Sequence, residues 1–207
     1  MIKTLLILCT CTYLISCNQK SSDKTNKAES IASYNLPIPM GWSTEIFTLP
    51  AKFAPSITYK GVEDIRFTPG WAKGGSNEYW TYAFLWNLQD SVLIDENTIE
   101  MNLKAYFTGL IASNLDKSKI QGIIIFETET KIDKIETQEG DLQTFKGTIN
   151  MLDYMNQQPI TLNCIVHLIH CRGQNNTYLL HEFSPQPFTD SVWKSLQVIH
   201  NGFTCTQ

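Results

Sequence analysis

The chain has 207 residues, carries 16 Lys+Arg against 20 Asp+Glu for a net charge of -4, and is 43% hydrophobic but only 17% charged. That composition excludes a wholly disordered chain, a collagen-like repeat and a polytopic membrane protein. Only Arg66 and Arg172 are arginines; scattered lysines in an acidic field, without bidentate guanidinium contacts, argue against a nucleic-acid partner.

Met1-Ile2-Lys3 opens the chain and an apolar run follows over residues 5–15. A positive start and about 11 apolar residues fit a secretory signal, because a bilayer-spanning helix needs roughly 20. Leu14-Ile15-Ser16-Cys17 resembles the lipobox of bacterial lipoproteins: a branched apolar residue, a tolerant position, a small residue at the cleavage point, then cysteine. The resemblance implies that residues 1–16 are a signal peptide that is removed, with Cys9 and Cys11 in it, and that Cys17 becomes a lipidated N-terminus. Acyl chains stabilise membrane association by about 0.8 kcal/mol per buried methylene, so a multiply acylated Cys17 would hold the protein at a membrane without a transmembrane helix. Residues 18–30 are polar and poor in branched and aromatic side chains, so residues 17–35 read as the lipidated cysteine and a flexible tether, and residues 36–207 as one domain. Lipoproteins retained at the inner membrane carry aspartate after the cysteine. Asn18 stands here, which implies an outer membrane, and the absence of an acidic cluster behind it implies a periplasm-facing orientation.

In the domain, residues 44–49 read as a short strand ended by Pro50, and 57–59 and 64–67 as short strands around Gly61. Residues 78–88 make the clearest strand: Trp80, Tyr82, Phe84, Trp86 and Leu88 share one face, and Tyr79, Ala83 and Leu85 the other, so it is expected to be central and covered on both sides. Asn97-Thr98-Ile99-Glu100 fits a capping box, and Ile99, Leu103, Phe107, Leu110 and Ile111 recur at helical spacing up to Asn114. Residues 122–127, 131–138 and 142–151 return to period two, the last two joined by the turn Glu139-Gly140-Asp141. A long strand over 160–171 turns at residues 173–176 into a strand over 177–183. Asp190 can cap a helix whose Val192, Trp193, Leu196 and Ile199 face one way, with Gly202 just past its end.

This order of strands, helix, strands, helix predicts an α+β fold, an antiparallel sheet with helices packed on it. The same succession resembles the PsbP-like family. The resemblance implies an α/β/α sandwich and, by analogy, a binding or assembly role without chemistry; no residue motif of that family is matched, so no site residue is carried over.

The mature chain would keep Cys17, Cys164, Cys171 and Cys205, in a compartment that permits disulfides. On one continuous strand Cys164 and Cys171 would stand about 23 Å apart, far beyond the roughly 7 Å that a bridge spans. An intrachain bridge must then use Cys205, with Cys171 at the strand end its better partner and Cys164 a buried thiol; three unpaired thiols is the alternative. His167 and His181 flank the turn at similar depth. In one hairpin register they sit opposite each other and could share a metal, which gives the alternative function, a metal-assisted hydrolase; a one-residue shift separates them. No third ligand is identifiable, neither HExxH nor paired CxxC is present, and no cofactor is expected. His167 and Cys171 would lie about 13 Å apart on a strand, which excludes them as a nucleophile and its base. GxSxG is absent, and Gly70, Gly74 and Gly75 match neither a Walker loop nor a dinucleotide fingerprint. Glu63, Asp64 and Asp153 are the natural places to look for acid/base carboxylates, but sequence does not place them across a cleft and they read as surface charge.

The segment Thr68-Pro69-Gly70-Trp71-Ala72-Lys73-Gly74-Gly75-Ser76-Asn77, with Tyr79 and Trp80 after it, combines glycine freedom with aromatic rings that stack on sugars or fill pockets. Trp71, Lys73, Tyr79 and Trp80 are the candidate binding residues, with Trp71 either presented to a ligand or folded back as a plug over the sheet. The sequence therefore predicts a lipid-anchored cell-envelope protein with a non-enzymatic role, its partners a membrane through Cys17 and an envelope protein or small ligand.

Overall fold

The computed structural model describes residues 33–115 and 127–206. The signal segment, Cys17, most of the tether and all but the last residue of the strand expected at 122–127 lie outside the described residues. The elements run β1 (Tyr34–Asn35), β2 (Ser43–Leu49), β3 (Gly61–Phe67), β4 (Tyr82–Leu88), α1 (Glu96–Asn114), β5 (Glu129–Ile135), β6 (Asp141–Asp153), β7 (Gln158–Ile169), β8 (Thr177–Ser184), α2 (Val192–Asn201) and β9 (Thr204–Cys205). Strands β2 to β4 form one antiparallel meander and β5 to β8 another. Pairing of β4 with β8 joins them into a seven-stranded sheet of order β2-β3-β4-β8-β7-β6-β5, while β1 and β9 pair separately.

The period of two sorts the core into two layers. Tyr82, Phe84, Trp86 and Leu88 of β4 pack with Ile99, Leu103, Tyr106 and Phe107 of α1. Ala83 and Leu85, between them, pack with Val192, Trp193, Leu196 and Ile199 of α2. A helix therefore covers each face, and the expected α+β fold takes the form of a sandwich with the sheet as its middle layer.

Local signals differ from the expectations in four places. Residues 57–59 form no strand; they continue a series of turns in which the Ala54 and Ile57 N–H groups donate to the carbonyls of Ala51 and Ala54. β3 begins earlier, at Gly61, where a Cβ would stand 2.0 Å from the Asn87 carbonyl oxygen, so no other residue fits the ladder there. The strand expected from Glu78 starts only at Tyr82, because Trp80 has φ 55, a left-handed turn that breaks extended backbone. Helix α1 is capped by Asp95, whose Oδ1 accepts the Thr98 N–H at 2.8 Å, two residues before the expected box. The Glu100 carboxylate is free of capping and accepts the Ile132 N–H at 2.7 Å, while the Thr130 hydroxyl donates to the Glu100 carbonyl at 2.9 Å. Those two bonds fasten α1 to the edge strand β5.

The ordered domain also begins before residue 36. Tyr34 and Asn35, assigned to the tether, pair with Cys205 and Thr204, and Cys171 is bonded to Cys205 with Cα atoms 5.6 Å apart. Cys171 lies two residues beyond the end of β7, on the α2 side of the core, whereas Cys164 is a buried free thiol on the α1 side. Burial pushes the Cys164 thiol up to about 12, which leaves it inert as a nucleophile.

Arg66 anchors the same N-terminal segment. Its guanidinium pairs with Asp64 and donates to the carbonyls of Leu36, Pro37 and Ile65 at 2.9 to 3.0 Å, and Tyr34 donates its hydroxyl to Asp64 at 3.2 Å. One of the two arginines is thus a structural pin. Removing one partner of a buried pair strands the other's charge, at a cost of about 3–5 kcal/mol. Arg66→Ala is expected to lose that much in urea unfolding, and Arg66→Met with Asp64→Leu to regain most of it. A single-variant loss under about 1 kcal/mol would show that the pair is not buried in solution.

Candidate functional site

Alternation along the sheet edge decides what the α1 face offers. Glu45 and Phe47 of β2, Ile65 and Phe67 of β3, and Tyr82 of β4 share that face. Across from them stand Tyr106, Leu110 and Asn114 of α1, and Phe53, Trp71, Trp80 and Tyr154 close the sides; the cavity they line has a volume of about 360 Å³, within the range of small-ligand sites. The rings meet at angles. Trp71 stacks on Phe67 with centroids 4.4 Å apart and is tilted 58° to Tyr82, Trp80 is tilted 53° to Tyr82, and Tyr154 stands edge-on to Trp80 at 5.3 Å.

Two polar groups in these walls are buried, Trp80 and Tyr82 being 1% and 3% exposed. The Tyr82 phenol oxygen has no hydrogen-bond partner, whereas the Trp80 N–H reaches toward the Tyr79 oxygen and opposes the rise that burial gives that phenol. A buried polar group left unpaired costs about 1–3 kcal/mol. Burial, helped by the charge of Glu63, holds the Tyr82 phenol protonated far above its ordinary range, so it stands as a donor without an acceptor.

The carboxylates read as surface charge are in fact buried. Glu63 lies behind the cavity wall and accepts the Trp86 indole N–H at 2.9 Å and the Tyr106 hydroxyl at 2.6 Å. Burial pushes its pKa up to about 7, against the pull of those two bonds and with a further push from Glu45. Asp64 belongs to the Arg66 pin. Asp153 accepts the Tyr79 hydroxyl at 2.6 Å and the Met155 N–H at 2.8 Å, and so holds the turn that sets Tyr154 against Trp80.

Of the four candidate binding residues, Trp71 and Trp80 line the cavity, with Trp71 half-buried and folded back over the sheet. Lys73 does not: turns closed by the Lys73 N–H on the Gly70 carbonyl and the Ser76 N–H on the Lys73 carbonyl leave it exposed at the loop tip. Tyr79 is engaged with Asp153. Sequence reasoning missed Glu45, Tyr82, Tyr106 and Tyr154 as wall residues; the alternation that put Tyr82 on one face with Trp80 was the available signal.

The helix approaches closely on one side of the cavity. A Cβ on Gly109 would lie 1.9 Å from the Phe53 carbonyl oxygen, so this glycine sets the spacing between α1 and the 50–60 segment.

The proposed metal pair is corrected by register. His181 is opposite Val166, and His167 is opposite Leu180, so the two imidazoles point to opposite faces. His181 packs on Phe84 and Trp86 on the α1 side, and burial lowers its pKa to about 3, which keeps it neutral. His167 instead joins Asp141 and His200 on the α2 side. Its Nδ1 lies 2.8 Å from Asp141 Oδ2, His200 Nε2 lies 2.8 Å from Asp141 Oδ1, and the two rings stack with centroids 3.8 Å apart at 17°. Glu182 Oε2 is 3.7 Å from His167 Nε2, and neither Glu182 oxygen has a hydrogen-bond partner. The three potential ligand atoms of Asp141, His167 and His200 lie within 4.8 Å of one another, but an imidazole holds a metal in its ring plane at roughly 2.0–2.1 Å. Two near-parallel stacked rings have no such common point. The arrangement suits protons: burial alone would lower the His167 pKa, yet the hydrogen bond to Asp141 and the nearby charges of Asp141 and Glu182 outweigh it and raise it to about 9. Asp141, against its own burial, is held down at about 2 by the two histidines.

Neither a family model nor a curated protein matches the chain. Among solved structures, the crystal structure of LpqN, involved in cell envelope biogenesis of Mycobacterium tuberculosis, aligns over 84% of this chain and 83% of that one at 13% identity, with a TM-score of 0.35.

Two outcomes follow from this geometry. Gly109→Ala, which helix propensity alone would favour by about 1 kcal/mol, is expected to destabilise by about 1–3 kcal/mol because Phe53 must move; a stabilised variant in urea melts would show the contact is loose. His167 has a folded pKa near 9 against an unfolded value near 6.5, so its contribution is complete below about pH 6.5 and disappears as pH rises through 9, roughly 3 kcal/mol in all. Glu63, also raised, adds its own fall between about 4.5 and 7. The test is therefore the difference between the stability curves of the native chain and His167→Gln. It should shrink from pH 6.5 to 9, and a flat difference would refute the charged His167.

Proposed function

We propose that this is a lipid-anchored protein of the cell envelope, held through Cys17 at an outer membrane and facing the periplasm, whose domain binds a small ligand in the α1-face cavity without transforming it. The anchor is supported by Lys3, the apolar run and Leu14-Ile15-Ser16-Cys17. The compartment is supported by the disulfide between Cys171 and Cys205, a bond suited to an oxidising environment.

The observation that carries the binding role is the cavity itself: about 360 Å³, walled by aromatic rings, with the Tyr82 hydroxyl buried and unpartnered in its wall. A ligand that accepted a hydrogen bond from it would recover part of the cost of leaving it unmade. Its polar lining consists of Glu45, Asn114, two indoles and three phenols, groups that orient a ligand. None of them is a histidine or cysteine that could pair as base and nucleophile. Rigid rings also lose little freedom on binding, which favours affinity.

Cells fed an alkyne-tagged fatty acid are expected to label the native chain, with Cys17→Ser unlabelled and released from membranes. Unlabelled native protein would end the anchor reading. For the cavity, a panel of envelope sugars, acyl chains and amines is screened by tryptophan emission and melting temperature on detergent-solubilised full chain. At least one class should raise the melting temperature and lose its effect in Trp71→Ala, and silence across the panel would end the binding reading.

A further inference from the structure

The two edges of the seven-stranded sheet are built differently. A sheet edge presents a row of unpaired backbone N–H and C=O groups, and folded proteins guard such rows with lysine, proline, a bulge, a short strand or a covering element. The edge at β5 is guarded. It carries Lys131, Asp133 and Lys134, all exposed, and the outward N–H of Ile132 is taken by the Glu100 carboxylate at 2.7 Å. The edge at β2 has none of these devices. Its seven residues pair with β3 in unbroken register, from Ser43 opposite Phe67 to Leu49 opposite Gly61, and include no lysine or proline. Among the described elements it packs against β3 alone. The geometry points to a second copy of this chain as the occupant: β2 pairs with its own counterpart, antiparallel about a two-fold axis through Ile46, and joins two sheets edge to edge.

The side-chain pattern selects that occupant and its register. Thr44, Ile46 and Thr48 alternate onto the α2 face of β2, and the run Thr-Ile-Thr reads the same in both directions. Pairing centred on Ile46 sets Ile46 opposite Ile46 and Thr44 opposite Thr48, β-branched and threonine pairs that stabilise a sheet. Ile46 is 63% exposed and is covered by its own mate. On the α1 face Glu45 of each copy stands opposite Phe47 of the other, so the one charge of the strand does not oppose itself. Centring on Glu45 would set two carboxylates against each other, which is destabilising. Ile46 is also the midpoint of β2, so this register alone keeps the whole strand in the ladder, with about six to eight hydrogen bonds according to which alternate residues point outward. Ile38 and Met40, 60 and 98% exposed in the segment leading into β2, add apolar surface to the same part of the chain. Glu45 and Phe47 both line the cavity, so the pairing brings the rims of two cavities together. A foreign strand would meet the same backbone groups, but the pattern on this edge is its own complement.

The test uses the detergent-solubilised full chain, with micelles in excess so that an anchor alone does not pair copies. Sedimentation should show a monomer–dimer equilibrium. Ile46→Lys, which sets like charges on the axis, should weaken it about tenfold with the circular dichroism of the fold unchanged. Introduced cysteines read the register, because Cys171 and Cys205 are bonded to each other and Cys164 is buried. Ile46→Cys should form an interchain disulfide under mild oxidation, and so should a mixture of Thr44→Cys with Thr48→Cys chains. Thr44→Cys alone, about 13 Å along the strand from its counterpart, should not. A chain that remains monomeric overturns the proposal, and protection of Ile46→Cys from a maleimide in that monomer would assign the edge to residues 17–32 or to a copurifying peptide. A dimer that withstands Ile46→Lys, or that crosslinks through Thr44→Cys alone, overturns it as well, because it is built on another surface or in another register.

Discussion

The ladder between β4 and β8 is the constraint on which the rest depends. Phe84 sits opposite His181 and Leu85 opposite Leu180, and because side chains alternate with a period of two, that register assigns each residue of the central strands to a layer. A slip of one position would either carry Tyr82, Phe84 and Trp86 to the α2 side or bring Glu182 to the α1 side. The aromatic cavity would be lost in the first case and the ionic cluster in the second. The paired strands are buried along nearly their whole length, so such a slip would expose no polar face to compensate, and the register is strongly specified.

The two layers solve burial differently. On the α1 side the core is aromatic: Phe84 contacts Trp86, Tyr106, Phe183 and His181 at centroid distances of 4.4 to 5.6 Å. On the α2 side charges are buried in groups, Asp64 with Arg66 and Asp141 with His167 and His200. Buried ions are tolerable only when paired and hydrogen-bonded, and both groups tie a late or early part of the chain to the sheet. Asp64 and Arg66 hold the segment around Leu36 and Pro37, and Asp141 holds His200 near the end of α2. Glu182 is the exception, a buried carboxylate with no hydrogen bond, and its near charge is His167. That is the physical reason His167 holds its proton: two carboxylates flank one imidazole.

Periodicity made the larger fold legible. Residues 78–88 and 177–183 announced themselves as strands, and the apolar spacing from Ile99 to Ile111 announced α1, because each pattern reports a buried face directly. What failed were features that depend on partners distant in sequence. Tyr34 and Asn35 form a two-residue strand only because Thr204 and Cys205 lie beside them; two residues have no period to read. Residues 57–59 carry strand-like side chains but meet no free edge. Asn97 competed with Asp95 as cap, and Glu100, placed in a capping box by its spacing, is recruited instead by Ile132 on β5. Glu63, Asp64 and Asp153 read as surface charge because nothing local shows Trp86, Tyr106, Arg66 or Tyr79 waiting for them. Of the twelve residues that line the cavity, Trp71 and Trp80 stand out by composition, whereas Glu45, Tyr106 and Tyr154 join them only through the fold.

A cavity walled by large side chains, with Glu45 and Asn114 exposed at its rim, needs an explanation, since packing normally closes such spaces. Here each wall is fixed by contacts outside the cavity. β2 and β3 are held by their ladder. Helix α1 is positioned at one end by Asp95 and by the Glu100 bonds to β5, and by the Gly109 approach to Phe53 at the other. The loop that carries Trp71 is closed by the Trp80 N–H on the Trp71 carbonyl at 2.8 Å and by the Thr68 hydroxyl on the Thr81 carbonyl at 2.8 Å, while Asp153 braces Tyr79 from the opposite hairpin. Collapse would require breaking hydrogen bonds in three separate elements to gain dispersion contacts among rings that are already stacked. The rings cannot bend to fill the gap, and their supports do not move together. A space held open in this manner is organised before a ligand arrives, so the cost of shaping the site falls on folding and not on binding.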